Sequence, residues 1–273
     1  MKNIQLADMN VHRLGFGAMR VCGPNVWGPP KDRAAAHAVL RKAFALGCNF
    51  IDTADSYGPH VDEELIAEAL HPYPKGLVIA TKGGLVRPRP SAWDSDARPE
   101  HLRSSIDGSL KRLKLERIDL YQLHAPDPAV PFEDSVSTLA DAQRAGKIRH
   151  VGLSNVSVKQ LEAARRICPI VSVQNRYNLE DRSSDPVLKA CEGHGIAFLP
   201  WYPLGAGSSL KTSQVKKIAS KLKATPAQVA LAWLLAKSPV MLPIPGTASI
   251  PHLEENVGAA ALQIPAEDLA ALG

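Results

Sequence analysis

Short, near-continuous apolar runs recur along the chain at residues 13–17, 49–52, 77–82, 118–124, 148–154, 170–174, 196–201 and 241–245. Runs this short, rich in Val, Ile and Leu, read as strands buried on both faces, the pattern of a parallel sheet. Between them the period changes. After Asp32, an N-cap candidate, Ala36, Val39, Leu40, Ala43 and Phe44 fall at three- and four-residue spacing, and Gly47 ends the run. Comparable helical stretches follow at 61–70, 99–113, 131–145, 158–167, 185–192 and 251–261. The interval between the seventh and eighth strands holds two, 213–222 and 226–235, one of them an insertion. Strand ends recur about every 33 residues, room for a strand, a helix and two loops.

Eight alternating units predict an α/β fold of the (β/α)8 TIM-barrel type with extra helices. A Rossmann sheet needs its glycine fingerprint after the first strand. Gly15-Phe16-Gly17 and Gly205-Ala206-Gly207 supply only G-x-G, with Arg20 and Leu210 at the third glycine position. Residues 1–12 are expected to form a small hairpin plugging the barrel bottom. No linker divides the chain, so 1–273 reads as a single barrel domain.

Composition narrows the class. Hydrophobic residues make up 45% and charged residues 22%, which suits a globular chain and excludes disorder and collagen. The apolar run 229–236 is far below the roughly 18 to 20 residues that span a bilayer. Met1-Lys2-Asn3 opens no signal peptide, so a soluble cytoplasmic protein with no membrane partner is expected. The net charge of +5 favours anionic small molecules. Its densest basic stretch, Lys211, Lys216, Lys217, Lys221 and Lys223, lacks interleaved aromatic residues and reads as a solvated helix face, so no nucleic-acid partner is expected. Cys22, Cys48, Cys168 and Cys191 form no C-x-x-C pair, which indicates neither zinc nor disulfides and fits a reducing compartment. A monomer is the default state.

In such a barrel, polar residues at the C-terminal strand ends face a common mouth. Strand two ends in Asp52-Thr53-Ala54-Asp55-Ser56-Tyr57-Gly58, strand three in Thr81-Lys82-Gly83-Gly84, and strand four in Leu123-His124-Ala125-Pro126. Taken singly, a strand-end Asp caps, a Tyr packs, and a lone His is a structural hydrogen-bonder. Together they converge. A tyrosine of reference pKa about 10 donates a proton poorly near neutrality unless a cation stabilises its phenolate. Lys82 can do that, and Asp52 can hold the lysine charged and oriented.

These three segments, in this order, resemble the aldo-keto reductase superfamily over nearly the whole chain. The resemblance implies a catalytic tetrad of Asp52, Tyr57, Lys82 and His124 that reduces aldehydes or ketones with NADPH. Hydride would leave the nicotinamide C4 for the carbonyl carbon while Tyr57 protonates the oxygen. Neutral His124 would orient the carbonyl and stabilise the developing alkoxide, with no metal required. Ser154, Asn155 and Gln174 match the positions that hold the nicotinamide carboxamide, and Trp201 the ring stacked on it. Tyr202, Leu204, Gly205 and Gly207, with Ala206 and Ser208, match the loop near the pyrophosphate. The segment 244–256, with Gly246, Thr247, Ser249, His252, Glu255 and Asn256, resembles the adenosine-binding element. Here the chain departs from a common pattern: where many NADP-specific members carry a lysine and an arginine, it places Gly246 and His252. NADPH is expected, with NADH as the alternative.

Trp27 and Trp93 are candidate walls of the substrate pocket. The chain stops at Gly273, so an open pocket without the long loop of steroid-binding members is expected. The segments 27–33, 57–60 and 68–74 resemble a bacterial branch that includes pyridoxal reductases, which makes pyridoxal a candidate substrate beside small aromatic aldehydes and keto compounds. Two other classes stay open. A non-catalytic nicotinamide-binding regulatory subunit has no need of Tyr57 and Lys82. A metal-dependent barrel hydrolase needs more ligands than Asp52 and His124, since His150 lies at the far end of its strand.

Overall fold

The computed structural model describes residues 2–207 and 209–273. Strands β1 (Asn3–Leu6) and β2 (Met9–His12) pair antiparallel. Leu6, Met9 and Val11 are buried against Phe50, Val78, Leu120, Leu199 and Leu242. The alternation of this hairpin therefore supplies the apolar plug that closes one end of the barrel interior.

Seven parallel strands pair in chain order: β3 (Phe16–Gly17), β4 (Phe50–Asp52), β5 (Val78–Gly83), β8 (Ile118–Leu123), β9 (Ile148–Ser154), β10 (Ile170–Arg176) and β11 (Ala197–Trp201). Two further short strands, β6 (Leu85–Val86) and β7 (Asp94–Ser95), form an antiparallel pair after β5 that the sequence did not signal.

The eighth barrel position is filled by 241–245, and it bonds differently on its two edges. Toward β11, Phe198 N donates to Val240 O and Leu242 N to Phe198 O, both at 2.8 Å. Toward β3, Gly15 N donates to Pro243 O at 2.9 Å and Gly17 N to Pro245 O at 3.3 Å. Pro243 and Pro245 have no N–H to return, so this edge is bonded in one direction only. The circle of a (β/α)8 barrel closes there without a regular ladder.

The helices are α1 (Arg33–Ala45), α2 (Val61–Leu70), α3 (Pro99–Leu113), α4 (Phe132–Arg144), α5 (Val158–Arg165), α6 (Asp185–His194), α7 (Ser213–Lys221), α8 (Pro226–Lys237), α9 (Ile250–Gly258) and α10 (Ala266–Leu272). Asp32 caps α1 by accepting from Ala35 N at 2.8 Å. Ser157 with Gln160 and Thr225 with Gln228 form capping boxes on α5 and α8. The expected helix 251–261 ends earlier, at Gly258, and finishes as a tighter turn, Ala259–Ala261. Among the described residues no helix is long and apolar enough to cross a membrane.

Candidate active site

Asp52 is the last residue of β4, Lys82 lies in β5, and His124 follows β8 directly. Pairing of β4 with β5 and of β5 with β8 brings these ends to one mouth. The fully buried Lys82 Nζ donates to Asp52 Oδ2 at 2.7 Å, Thr53 O at 2.7 Å and Tyr57 Oη at 3.4 Å. Those three bonds use all three ammonium protons. Asp52 Oδ1 accepts from Gln174 Nε2 at 2.8 Å and Gln122 Nε2 at 3.1 Å. A buried ion pair is tolerable only when its remaining lone pairs are satisfied, and the two glutamines do this.

Tyr57 sits on the turn after β4, where its N–H donates to Ala54 O at 3.2 Å. Gly58 follows at φ 85°, and a Cβ there would lie 2.7 Å from Val61 Cβ, so the turn requires glycine. Burial, reinforced by Asp52 and Asp62, holds the Tyr57 phenol well above its ordinary pKa. The resting phenol therefore keeps its proton, and Lys82 Nζ at 3.4 Å stands where a phenolate would form. Burial and the charge of Lys82 push His124 well below the ordinary imidazole range, so it is neutral. Its Nδ1 lies 3.3 Å from Ser56 Oγ, and its ring meets Tyr57 edge-on at 5.8 Å. With the serine hydroxyl donating to Nδ1, the ring carries its own proton on Nε2.

Behind this group lie further buried carboxyls. Asp62 Oδ2 accepts from Thr53 Oγ1 at 2.7 Å while its Oδ1 has no partner, and burial raises its pKa well above the usual range. Burial and nearby Glu63 push Asp55 up to about 7, and its Oδ1 is also unpartnered. Glu63 is paired with Arg112 Nε at 2.6 Å.

A cavity of about 1030 Å³ opens over Asp52, Tyr57 and His124. Ser154, Asn155, Gln174, Trp201, Tyr202, Leu204 and Gly246 line it, as does Trp93. Asn155, held at φ 58°, spends its amide on the wall: Nδ2 donates to His124 O at 2.9 Å and Ser154 Oγ at 3.0 Å, and Oδ1 accepts from Trp201 Nε1 at 3.0 Å. Gln174 has given one of its two Nε2 protons to Asp52. The groups left to meet a carboxamide therefore include the Ser154 hydroxyl proton, the second Gln174 N–H and Gln174 Oε1.

The other expected cofactor residues lie outside this cavity wall. Gly205 and Gly207 bound a tight turn at φ 55° and 90°. Thr247 Oγ1 accepts from Ser249 N at 3.0 Å, and the Ser249 side chain caps α9 at His252 N. Asn256 is buried, and Glu255 O accepts from Gln228 Nε2 at 3.1 Å. Ser208 lies outside the described residues. Trp27 does not line the cavity either. It flanks the Arg87 guanidinium at 5.6 Å, and Arg87 in turn stacks on Trp93. Among the described residues, no three His, Cys, Asp or Glu side chains gather as a metal-ligand set.

Sequence reasoning passed over Gln122, Ser56, Arg20 and Arg87. Gln122 had a signal: it precedes His124 by two residues, the spacing that puts two side chains on one face of a strand. Ser56 adjoins Tyr57. Arg20 and Arg87 occupy loops, where no period marks direction.

The aldo/keto reductase family model matches residues 13–273. An uncharacterised oxidoreductase of Schizosaccharomyces pombe is 51% identical over 98% of this chain and 88% of its own length. The pyridoxine 4-dehydrogenase of Escherichia coli is 44% identical over 98% of this chain and 96% of its own. Among solved structures, an aldo/keto reductase of Klebsiella pneumoniae in complex with NADP and acetate superposes at a TM-score of 0.83, with 26% identity, covering 96% of this chain and 90% of the other. Barrel, strand-end constellation and match over nearly the full length agree: this chain is an oxidoreductase belonging to the aldo/keto reductase family.

Proposed function

We propose that this enzyme reduces a small aldehyde or ketone to an alcohol with a nicotinamide cofactor, NADPH in preference to NADH, and with Tyr57 as proton donor. The observation that carries the reading is the bonded chain from Asp52 through Lys82 to Tyr57, ending beside neutral His124 in one cavity. The residues present fit the cofactor: Ser154 and Gln174 keep donors and an acceptor for a carboxamide, and the Trp201 indole offers a flat stacking surface. When bound, the nicotinamide supplies the hydride.

Everything else falls to the protein. Tyr57 gives its proton to the carbonyl oxygen, and Lys82, fixed by Asp52 and Thr53 O, stabilises the phenolate left behind. The His124 N–H donates to the same oxygen and aligns the carbonyl. Trp93, Val26 and Leu85 give the cavity an apolar wall suited to an aromatic ring. That wall and the pyridoxine 4-dehydrogenase relative support pyridoxal and small aromatic aldehydes as substrates. The NADP-bound relative supports NADPH. Four buried free thiols suit the reducing cytoplasm.

The test is the initial rate of nicotinamide oxidation, followed by absorbance, with NADPH and NADH against pyridoxal, an aromatic aldehyde and a diketone. Turnover is expected with the wild type and a drop of several orders of magnitude in Tyr57→Phe, whose cofactor binding, read from tryptophan fluorescence, stays intact. Full activity in Tyr57→Phe, or no turnover with any carbonyl, overturns the proposal.

A further inference from the structure

Position 246 cannot carry a side chain. A Cβ built there falls 2.5 Å from the Gly17 carbonyl oxygen, so even alanine would force β3 and the 241–245 segment apart. The rest of 246–256 contains no lysine or arginine. Yet the same built position lies 3.7 Å from Arg20 Cγ, so the Arg20 side chain passes beside the place where residue 246 has none.

Arg20 ends the short turn Ala18–Arg20 that follows β3, and it is exposed. It lines the cavity that holds Tyr57 and His124, and among the described residues it has no carboxylate partner. The other arginine in that lining, Arg176, is already paired with Asp181 at 3.0 Å. Arg20 also lines an adjoining hollow of about 380 Å³, together with Lys31 and Ala248. Asp32, the acid of that hollow, accepts from Ala35 N at the start of α1.

An unpaired guanidinium offers five donors in a planar fork, the geometry that phosphate oxygens accept. We propose that Arg20 binds a phosphate group of the nicotinamide cofactor, supplying from the end of β3 the fixed positive charge that 246–256 lacks. The inference rests on the nicotinamide reading above. The pyrophosphate and the 2'-phosphate share the required chemistry, and the experiment separates them.

The full-length protein is titrated with NADPH and with NADH, following tryptophan fluorescence, as wild type, Arg20→Lys and Arg20→Ala. Arg20→Ala is expected to raise the Kd for NADPH about ten- to a hundredfold, a loss that shrinks as salt is added. Arg20→Lys should recover part of it. Equal loss for NADPH and NADH assigns the pyrophosphate; loss for NADPH alone assigns the 2'-phosphate. An unchanged Kd for both in Arg20→Ala overturns the inference, as does a change confined to the KM of an anionic substrate. A wild type that binds neither dinucleotide overturns the functional reading itself, which keeps the two failures distinct.

Discussion

The guanidinium carbon of Arg87 lies 3.7 Å from the centre of the Trp93 ring, and Trp93 meets Tyr57 edge-on at 6.3 Å. A buried cation with no carboxylate partner among the described residues thus sets an aromatic wall beside the proton donor. The same arginine donates to Val26 O at 3.0 Å, Asn25 O at 3.2 Å and Pro90 O at 2.5 Å, tying two loops together. Arg87→Ala should raise the KM for carbonyl substrates about tenfold or more, leave kcat within a few-fold, and lower stability by about 2 kcal/mol. Steady-state kinetics with thermal unfolding checks it. A loss confined to kcat would show that Arg87 serves the chemistry and not the wall.

Asp52→Asn keeps the shape of the site and removes the counter-charge of a fully buried ammonium. Breaking a buried pair on one side costs about 3 to 5 kcal/mol. Unfolding of the variant in denaturant should show a loss of this order, together with a large fall in kcat. Asp52→Leu/Lys82→Met, which removes both charges, should recover much of the stability while staying inactive.

Asp55 gives a stability that depends on pH. Its carboxyl titrates near 7 when folded and near the ordinary 3.8 when unfolded, so the native state holds the extra proton between those values. Stability is therefore lost as pH rises from about 4 to 7, since the unfolded chain ionises first. Asp55→Asn should match the wild type at about pH 4 and exceed it at pH 8 by on the order of 2 to 4 kcal/mol. Melting temperatures at the two pH values decide it; equal differences at both would remove Asp55 as the source.

His124 works in the opposite direction. Its folded pKa is depressed, so below the ordinary histidine value of about 6.5 the unfolded chain takes up a proton that the native site refuses. Its contribution is present above that value and is lost as pH falls through it. His124→Gln, which keeps an N–H donor, should flatten the acid limb of the stability profile. It should also lower kcat by about a hundredfold or more, because the donor to the carbonyl oxygen is misplaced. An unchanged acid limb would separate His124 from that titration.

The strand ends were readable in the sequence because their chemistry is local: Asp52, Lys82 and His124 each stand where an apolar run stops. Pairing of adjacent strands was enough to assemble them. What the sequence withheld depends on contacts between loops. Nothing in the spacing of Arg20 or Arg87 says that one overlies Gly246 and the other lies between Trp27 and Trp93. Asn155 likewise matched a position expected to face a ligand, while its amide is bonded within the wall. The raised pKa of Tyr57 comes from burial beneath those loops, a quantity that no motif encodes.

Proline at 243 and 245 gives the barrel one joint with bonds in a single direction. Its two lips carry Gly17 and Arg20 on one side and Gly246 on the other, so this singly bonded joint runs beside the guanidinium proposed to bind phosphate. Backbone amides along such a joint trade their hydrogens with solvent sooner than those between doubly bonded strands. A ligand held by Arg20 across this joint would work as a buckle: its occupancy would be registered as slower exchange at Gly15 and Gly17.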